Sequence, residues 1–326
     1  MIQPRKHLLG LEGMQAQEIY QILDTSRSFH EILERQVKKV PTLRGRSMIN
    51  AFFEPSTRTR VSFELAQKRL SADTINITTS GSSMSKGETL RDMVANLEAM
   101  RVDMIVIRHG TSGVPHMLAE HTRASVVNAG DGTHEHPTQG LLDLYTMRER
   151  LGDLAGRRVT ILGDIAHSRV ARSNIWGLRA LGARVTVCGP RTMMPKRVED
   201  LGVHVEYDLR RAVCDADVIN VLRIQLERQG TNTFPGVREY ARMFGITNEV
   251  LNTTKPECFV MHPGPMNRGV EISPEVADGP RAVILQQVTN GVAVRMAVCY
   301  LLIGAAGEEE TRTVHELPRA VPAATA

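Results

Sequence analysis

The sequence predicts an α/β protein of two domains, each a mainly parallel β-sheet flanked by helices, and three observations carry that expectation. Short apolar runs alternate along the chain with segments of helical periodicity, the pattern of parallel strands joined by crossover helices. The length of 326 residues exceeds what one hydrophobic core usually organises, so two units of roughly 150 residues are expected. A hydrophobic fraction of 42% beside a charged fraction of 23% can both fill cores and cover them, which excludes a disordered chain.

The elements follow in order. Ser47–Phe53 (SMINAFF) reads as a strand and leads into a helix on which Val61, Phe63, Leu65, Ala66 and Leu70 fall at compatible spacings. Leu90, Met93, Val94 and Leu97 make the i, i+3, i+4, i+7 stripe of a second helix. MIVI at 104–107 and SVVN at 125–128 are strands, with a short helix near 114–121 between them. Pro137 suits the first position of the next helix, which carries Leu141, Leu144 and Tyr145 inward. The polar stretch Arg148–Arg158 (RERLGDLAGRR) breaks the pattern and marks a domain boundary. Beyond it the alternation resumes with VTIL at 159–162, a helix to about Leu181 and RVTVC at 184–188. VHVEY at 203–207, DVINVL at 217–222 and CFVM at 258–261 are further strands, and Val288–Ile303 is a last helix. Gly307–Ala326, acidic and then rich in Pro and Ala, reads as a loosely ordered tail.

No apolar run in these segments approaches the ~20 residues needed to cross a bilayer. The N-terminus MIQPRKHLLGLEGM lacks a long apolar core, so no membrane association or secretion is expected. Cysteines at 188, 214, 258 and 299 stand alone, without C-x-x-C or zinc spacing. They read as buried thiols of a cytoplasmic protein. A formal charge of +4 with a pI near 9.0 fits a nucleic-acid face, arginines gathered around small anions, or a basic surface without purpose.

In open α/β sheets ligands bind beyond the carboxyl ends of the strands, so the residues that follow each strand are informative. After SMINAFF comes Glu54-Pro55-Ser56-Thr57-Arg58-Thr59-Arg60, and after MIVI come Arg108 and His109. SVVN is followed by Asp131, His134, His136 and Gln139, and VTIL by Asp164, His167, Ser168 and Arg169. Arg223 and Gln225 follow DVINVL, and His262-Pro263-Gly264-Pro265 follows CFVM. The segment EPSTRTR is the sharpest of these. Ser56 or Thr57 can cap a helix whose first turn offers free N–H groups, the positive end of a dipole, hydroxyls and guanidinium forks, all suited to a phosphate. His136, at another helix N-terminus, should stay neutral and donate to a carbonyl oxygen. His134-Glu135-His136 has no further ligand set for a metal, and Gly163 alone does not make a dinucleotide fingerprint. Thr78–Glu88 (TTSGSSMSKGE) offers Lys86 and several hydroxyls on a loop able to close over an anion.

Taken together, FEPSTRTRVSFE, SMSKGETLRD, IRH, NAGDGTHEHPTQ, GDIAHSRVARS, LRIQLER and HPGPMNRGVEI resemble, in order, the catalytic chains of the aspartate/ornithine carbamoyltransferase family, on the aspartate side of it. The resemblance spans about residues 1–305. It implies transfer of a carbamoyl group from carbamoyl phosphate to L-aspartate in pyrimidine synthesis, without cofactor or metal, by a cytoplasmic homotrimer with active sites shared between subunits. It divides the chain into a carbamoyl phosphate domain, 1–149 plus the helix 288–305, an aspartate domain, 150–287, and a tail, 307–326. Ser56, Thr57, Arg58 and Thr59 would hold the phosphate. Thr59, Arg108 and His136 would polarise the carbamoyl oxygen, and Gln139 with the carbonyls of Pro263 and Gly264 would meet the carbamoyl amine. Ser82 and Lys86 would arrive from a neighbouring subunit. Arg169, Arg223 and Gln225 would bind the aspartate carboxylates, with Glu54 joining Arg169 and Arg228 as the domains close.

Two departures from the family pattern stand out. Ser85 occupies a position where some members carry a second lysine, and Gly264 replaces the leucine of H-P-L-P forms, which leaves a backbone contact only. The HPGPMNRG form resembles bacterial members that associate with dihydroorotase or a dihydroorotase-like chain. Two other readings fit less well. An ornithine carbamoyltransferase typically shows H-C-L-P and must recognise an extra amine, whereas Arg223-x-Gln225 suits a second carboxylate. A non-catalytic assembly subunit need not keep every catalytic position filled. A nucleic-acid binder would need clustered basic faces and stacking aromatics, and aromatics are 4% of this chain.

Overall fold

The computed structural model describes residues 5–78, 89–224 and 236–315, with 305–315 described by backbone alone. In the first half, α1 (Ala16–Leu33) precedes β1 (Ser47–Phe52), α2 (Thr57–Arg69), β2 (Asp73–Thr78), α3 (Leu90–Ala99) and β3 (Met104–His109). Then come α4 (Val114–Ala119), β4 (Ser125–Asp131) and α5 (Pro137–Leu151). The strands form a parallel sheet in the order β2-β1-β3-β4. The second half runs β5 (Arg158–Leu162), α6 (Arg169–Ala180), β6 (Arg184–Cys188), β7 (His204–Glu206), α7 (Leu209–Val213) and β8 (Val218–Val221). It continues with α8 (Val237–Phe244), α9 (Asn248–Leu251), β9 (Phe259–Met261), α10 (Pro274–Ala277) and α11 (Ile284–His315). Its sheet, again parallel, has the order β7-β6-β5-β8-β9.

Strand order reverses between β1 and β3 in one sheet and between β5 and β8 in the other. Crevices outside the carboxyl ends of strands open at such reversals, and the segments after these four strands carry Glu54–Arg60, Arg108, Arg169 and Arg223. Continuous burial along β1, β3, β4 and β8 follows from coverage of both sheet faces by helices, which is why these strands read as unbroken apolar runs. β2 is the exception. It lies at the sheet edge, alternates polar residues, and leaves Ile75 56% exposed, so no apolar run announces it. The α1 helix, also not read from the sequence, buries Ile19, Leu23, Phe29 and Leu33 at helical spacing behind a Gln15–Glu18 capping box.

Several expectations need correction. Val61 and Leu65 sit at helical spacing on α2 yet face outward, 42% and 40% exposed, while Phe63, Ala66 and Leu70 are buried. Cys214 is exposed because it caps the C-terminus of the short α7; the other three cysteines are buried. The boundary stretch is partly helical, since α5 continues to Leu151 before Gly152 ends it with φ +71°. α11 continues to His315, so the segment from Gly307, read as a tail, begins as helix; Glu308-Glu309-Glu310 are good helix formers. Residues 316–326 lie outside the described ones.

α11 packs on α1, α2 and α5, the helices of the first sheet, although it follows the second. Its segment Ile284–Gly304 is long and apolar enough to cross a membrane, which the shorter runs read from the sequence do not suggest, but 72% of its most apolar window is buried inside the protein. The two halves also meet through α5 and α6. Buried Glu135 accepts from the Leu11 and Glu12 amides at 2.8 and 3.1 Å and from Ser173 Oγ of α6 at 2.7 Å. At Gly140 a Cβ would come within 2.8 Å of Leu11 Cδ1 and 3.0 Å of Ser173 Cβ. Only glycine permits this approach. Gly140→Ala should therefore destabilise the protein by about 1–3 kcal/mol through overpacking, which outweighs the ~1 kcal/mol that alanine contributes to an isolated helix. A urea midpoint equal to or above the wild type's would show that α5 and α6 separate freely.

Candidate active site

Between the two sheets lies a cavity of about 670 Å³, lined from β1–α2, β3, α5, the N-terminus of α6, the segment after β8, the loop after β9, and α11. Pro55 ends the extended stretch, and Ser56 caps α2 without bonding the helix's own amides through its side chain. The first turn, Thr57-Arg58-Thr59, contains no acidic residue, so its N–H groups and dipole favour an anion. The register of β1 and β3 pairs Phe52 with Arg108, which brings the arginine out beside this turn. Arg108 donates to Ala129 O at 3.1 Å and meets Glu54 Oε1 at 3.4 Å. Arg169, in the first turn of α6, forms a two-pronged pair with Glu54 at 2.7 and 2.9 Å.

Among the described residues, five guanidinium groups line the cavity, those of Arg58, Arg108, Arg169, Arg223 and Arg295, against one carboxylate, Glu54. Burial, and the charge of Arg223, push the Arg58 pKa down from its ordinary value. A Cβ at Gly264, where φ is +65°, would lie 2.0 Å from Arg58 Nη1. The glycine is thus what lets this guanidinium rest against the loop backbone. That loop is held by His262, which accepts from Gly264 N at Nδ1 (2.8 Å) and faces Glu271 through Nε2 (3.2 Å). The Gly264–Pro265 peptide is cis.

His136 is the N-cap residue of α5 and is 4% exposed. Its amide donates to Ser173 Oγ at 2.9 Å, and its Nδ1 is buried without a partner. Burial, then Arg108, Arg295 and Arg169, hold its pKa well below the ordinary 6.5. A neutral imidazole among guanidiniums can donate one hydrogen bond without adding to the charge. His134, by contrast, pairs through Nδ1 with Asp131 at 3.1 Å in a separate recess with His116, so the two histidines do not converge.

Of the residues singled out in the sequence, Glu54, Ser56, Thr57, Arg58, Thr59, Arg108, His136, Gln139, Arg169, Arg223, Pro263 and Gly264 all line this cavity. Ser82, Lys86, Gln225 and Arg228 lie outside the described residues. Sequence reasoning missed Arg295, Ser62, Gln287 and Asp143. Arg295 donates to Ser62 Oγ at 2.9 Å, lies 5.1 Å over the Phe63 ring, and has its pKa pushed down by burial to about 10. The signal was present: it is the single charge in Val288–Ile303. Asp143 is likewise the first charge in α5, set between leucines and fully buried.

Two family models cover the chain. The aspartate/ornithine carbamoyltransferase carbamoyl-P binding domain matches residues 6–149, and the Asp/Orn binding domain of the same family matches 155–302. The second match runs through most of α11, which in space packs on the first half. The aspartate carbamoyltransferase catalytic subunit of Gemmatimonas aurantiaca is 60% identical over 299 residues, 92% of this chain and 94% of that protein. Aspartate transcarbamoylase of Trypanosoma cruzi, solved with carbamoyl phosphate and aspartate, superposes with a TM-score of 0.83 at 28% identity, covering 91% of this chain and 97% of that one. Ornithine carbamoyltransferase of Pyrococcus furiosus gives a TM-score of 0.81 at 29% identity, covering 92% and 97%. The fold alone does not separate the two activities.

His136 should remain uncharged at about pH 6, where an ordinary imidazole carries its proton more often than not. The unfolded chain takes up a proton near pH 6.5 that the folded site refuses, so this residue's share of stability is lost as pH falls below that value. Nitrogen-15 chemical shifts of the imidazole across pH 5.5–8 check this, and a titration centred near 6.5 would contradict it.

Proposed function

The chain belongs to the aspartate/ornithine carbamoyltransferase family, and from that premise we propose that it transfers the carbamoyl group of carbamoyl phosphate to the α-amine of L-aspartate, giving N-carbamoyl-L-aspartate and phosphate. The observation that carries aspartate over ornithine is the charge of the cavity. Its described lining holds one carboxylate, Glu54, and both oxygens of that group are taken by Arg169, with Arg108 alongside. Nothing remains there to receive a side-chain ammonium, whereas guanidiniums at Arg169 and Arg223 suit two carboxylates. Relatives near 60% identity named aspartate carbamoyltransferase catalytic subunit support the same choice.

The α2 first turn, with Ser56, Thr57, Arg58 and Thr59, holds the phosphate. Thr59, Arg108 and neutral His136 bind the carbamoyl oxygen, and Gln139 with the carbonyls of Pro263 and Gly264 takes the amine. Attack by the deprotonated α-amine forms a tetrahedral carbon. Its oxyanion is met by donors the fold has already fixed in place, which need no reorganisation at the moment of reaction. Collapse expels phosphate, which leaves with the amine proton, since none of the described side chains in the cavity is placed as a general base. Residues 1–149 with 288–305 serve carbamoyl phosphate and 150–287 aspartate.

Gln225 adds to the aspartate pocket, and Arg228 joins Glu54 and Arg169 on closure. Ser82 and Lys86 enter from the neighbouring subunit of a homotrimer in the cytoplasm, where the product feeds pyrimidine synthesis. The HPGPMNRG segment favours association with dihydroorotase or a dihydroorotase-like chain.

Purified protein should form carbamoyl aspartate far faster than citrulline when offered carbamoyl phosphate with L-aspartate or L-ornithine. Equal or reversed rates would overturn the substrate assignment. Arg58→Ala, which removes a fixed cation from the leaving phosphate, should lower kcat by roughly 10²–10³-fold, the size of effect of losing one preorganised electrostatic donor. Shared sites have their own test: mixing inactive Arg58→Ala and Lys86→Ala chains should restore part of the activity. Mixtures that stay inactive despite verified subunit exchange would place Lys86 elsewhere.

A further inference from the structure

Asp143 lies in the middle of α5, fully buried, and forms no salt bridge among the described residues, although the Arg295 charge is felt there. Its two oxygens receive four side-chain amides. Gln139 and Gln287 donate through Nε2 to Oδ1 at 2.9 and 2.8 Å, and Asn174 and Asn220 through Nδ2 to Oδ2 at 2.8 and 3.4 Å. The donors come from α5, α11, α6 and β8. Burial pushes the Asp143 pKa up to about 6, with the four amides opposing the rise; with two amide donors turned to each oxygen, the group serves here as an acceptor only.

An acceptor-only centre dictates how each amide is turned. Gln139 must point its NH₂ at Asp143, so the end left over, Oε1, is an acceptor, and Gln139 lines the cavity. Gln287 is turned the same way, and its Oε1 accepts from the backbone N–H of His262 at 2.9 Å. His262 in turn receives Gly264 N at 2.8 Å. One carboxylate therefore orders both walls at which the carbamoyl amine is proposed to sit: the Gln139 amide on one side and the His262–Gly264 backbone on the other.

We propose that Asp143 is the positioning residue that makes this site read an amino group: it fixes Gln139 with its oxygen toward the substrate and, through Gln287, holds the carbonyl-bearing loop opposite. The inference rests on the carbamoyl phosphate reading of the cavity and deepens it. The ligand feature recognised is the donor NH₂ of a carbamoyl group, as distinct from the methyl of an acetyl group on the same phosphate.

Asp143→Asn keeps the shape but replaces one acceptor by a donor, so one of the facing amides must reverse. The measurements are kcat and KM for carbamoyl phosphate with L-aspartate, and the inhibition constant of acetyl phosphate against it. The expected result is a KM for carbamoyl phosphate raised about tenfold, the scale of one lost hydrogen bond to a buried group, with the acetyl phosphate constant changed less than about threefold. A parallel change in both, or none in either, would overturn the proposal. Should D143N not fold, Gln287→Met, which removes one link of the same chain while keeping the volume, is expected to show the same split, and a parallel loss there overturns it equally. Wild-type turnover is a separate readout: an inactive wild type sinks the functional reading, and the ratio of carbamoyl to acetyl phosphate binding by equilibrium dialysis still decides the role of Asp143.

Discussion

Five guanidinium groups around one carboxylate is the constraint on which the rest of the structure depends. Gathering like charges away from water is costly, and removing one partner from a buried pair costs more than the pair contributes. Glu54 offsets part of the repulsion by sitting between Arg169 and Arg108. Backbone carbonyls offset more, Ala129 O toward Arg108 and Gly291 O toward Arg295. Burial, with neighbouring arginines adding to it, depresses the pKa values of Arg58 and His136, while burial alone lowers that of Arg295. Anionic substrates supply what the empty cavity lacks, so binding energy is held in reserve by the fold rather than created by movement alone.

Holding those charges requires rigid supports on several sides, and the topology provides them. Each sheet reverses strand order once at the cavity, so arginines leave adjacent strand ends in converging directions. α11 then crosses back from the second half to the first and brings Arg295 and Gln287 with it. Close packing at Gly140 and the bonds of Glu135 seat α5 on α6, so His136 and Gln139 are fixed relative to Arg169. Gly140 and Glu135 do not line the cavity, yet each helps to set where a cavity-lining group lies.

How much was legible in the sequence follows from this division. Runs such as MIVI and VTIL are buried on both faces, so composition alone reveals them, and the polar residues that end them are the site. Ser56–Thr59 and His136 could be read because helix N-termini carry their own signature. β2 could not, because an edge strand with solvent on one side needs no apolar pattern. Val61 and Leu65 mislead for the opposite reason: helical spacing says which residues share a face but not whether anything covers it. Arg295 and Asp143 are visible only as oddities, charges set within otherwise uncharged stretches of their helices. Their meaning depends on partners about 230 and 140 residues away in the chain, Ser62 and Gln287, which periodicity does not encode.

A last consequence concerns where specificity resides. The fold superposes as well on an ornithine enzyme as on an aspartate enzyme, so the backbone is common property and the choice of acceptor lies in side-chain charge. The choice of donor lies elsewhere, in groups whose net charge is small and whose orientation is everything. An amide reads a ligand's NH₂ only if its oxygen faces inward, and nothing in the shape of glutamine ensures that. On the role proposed for Asp143, a buried carboxylate that accepts ensures it: of the four amides converging there, Gln139 and Gln287 line the cavity, the first with its oxygen left over and the second with its oxygen on the His262 amide. Charge selects the anion and amide polarity selects the amine, so the two selections use different physics and can be altered separately.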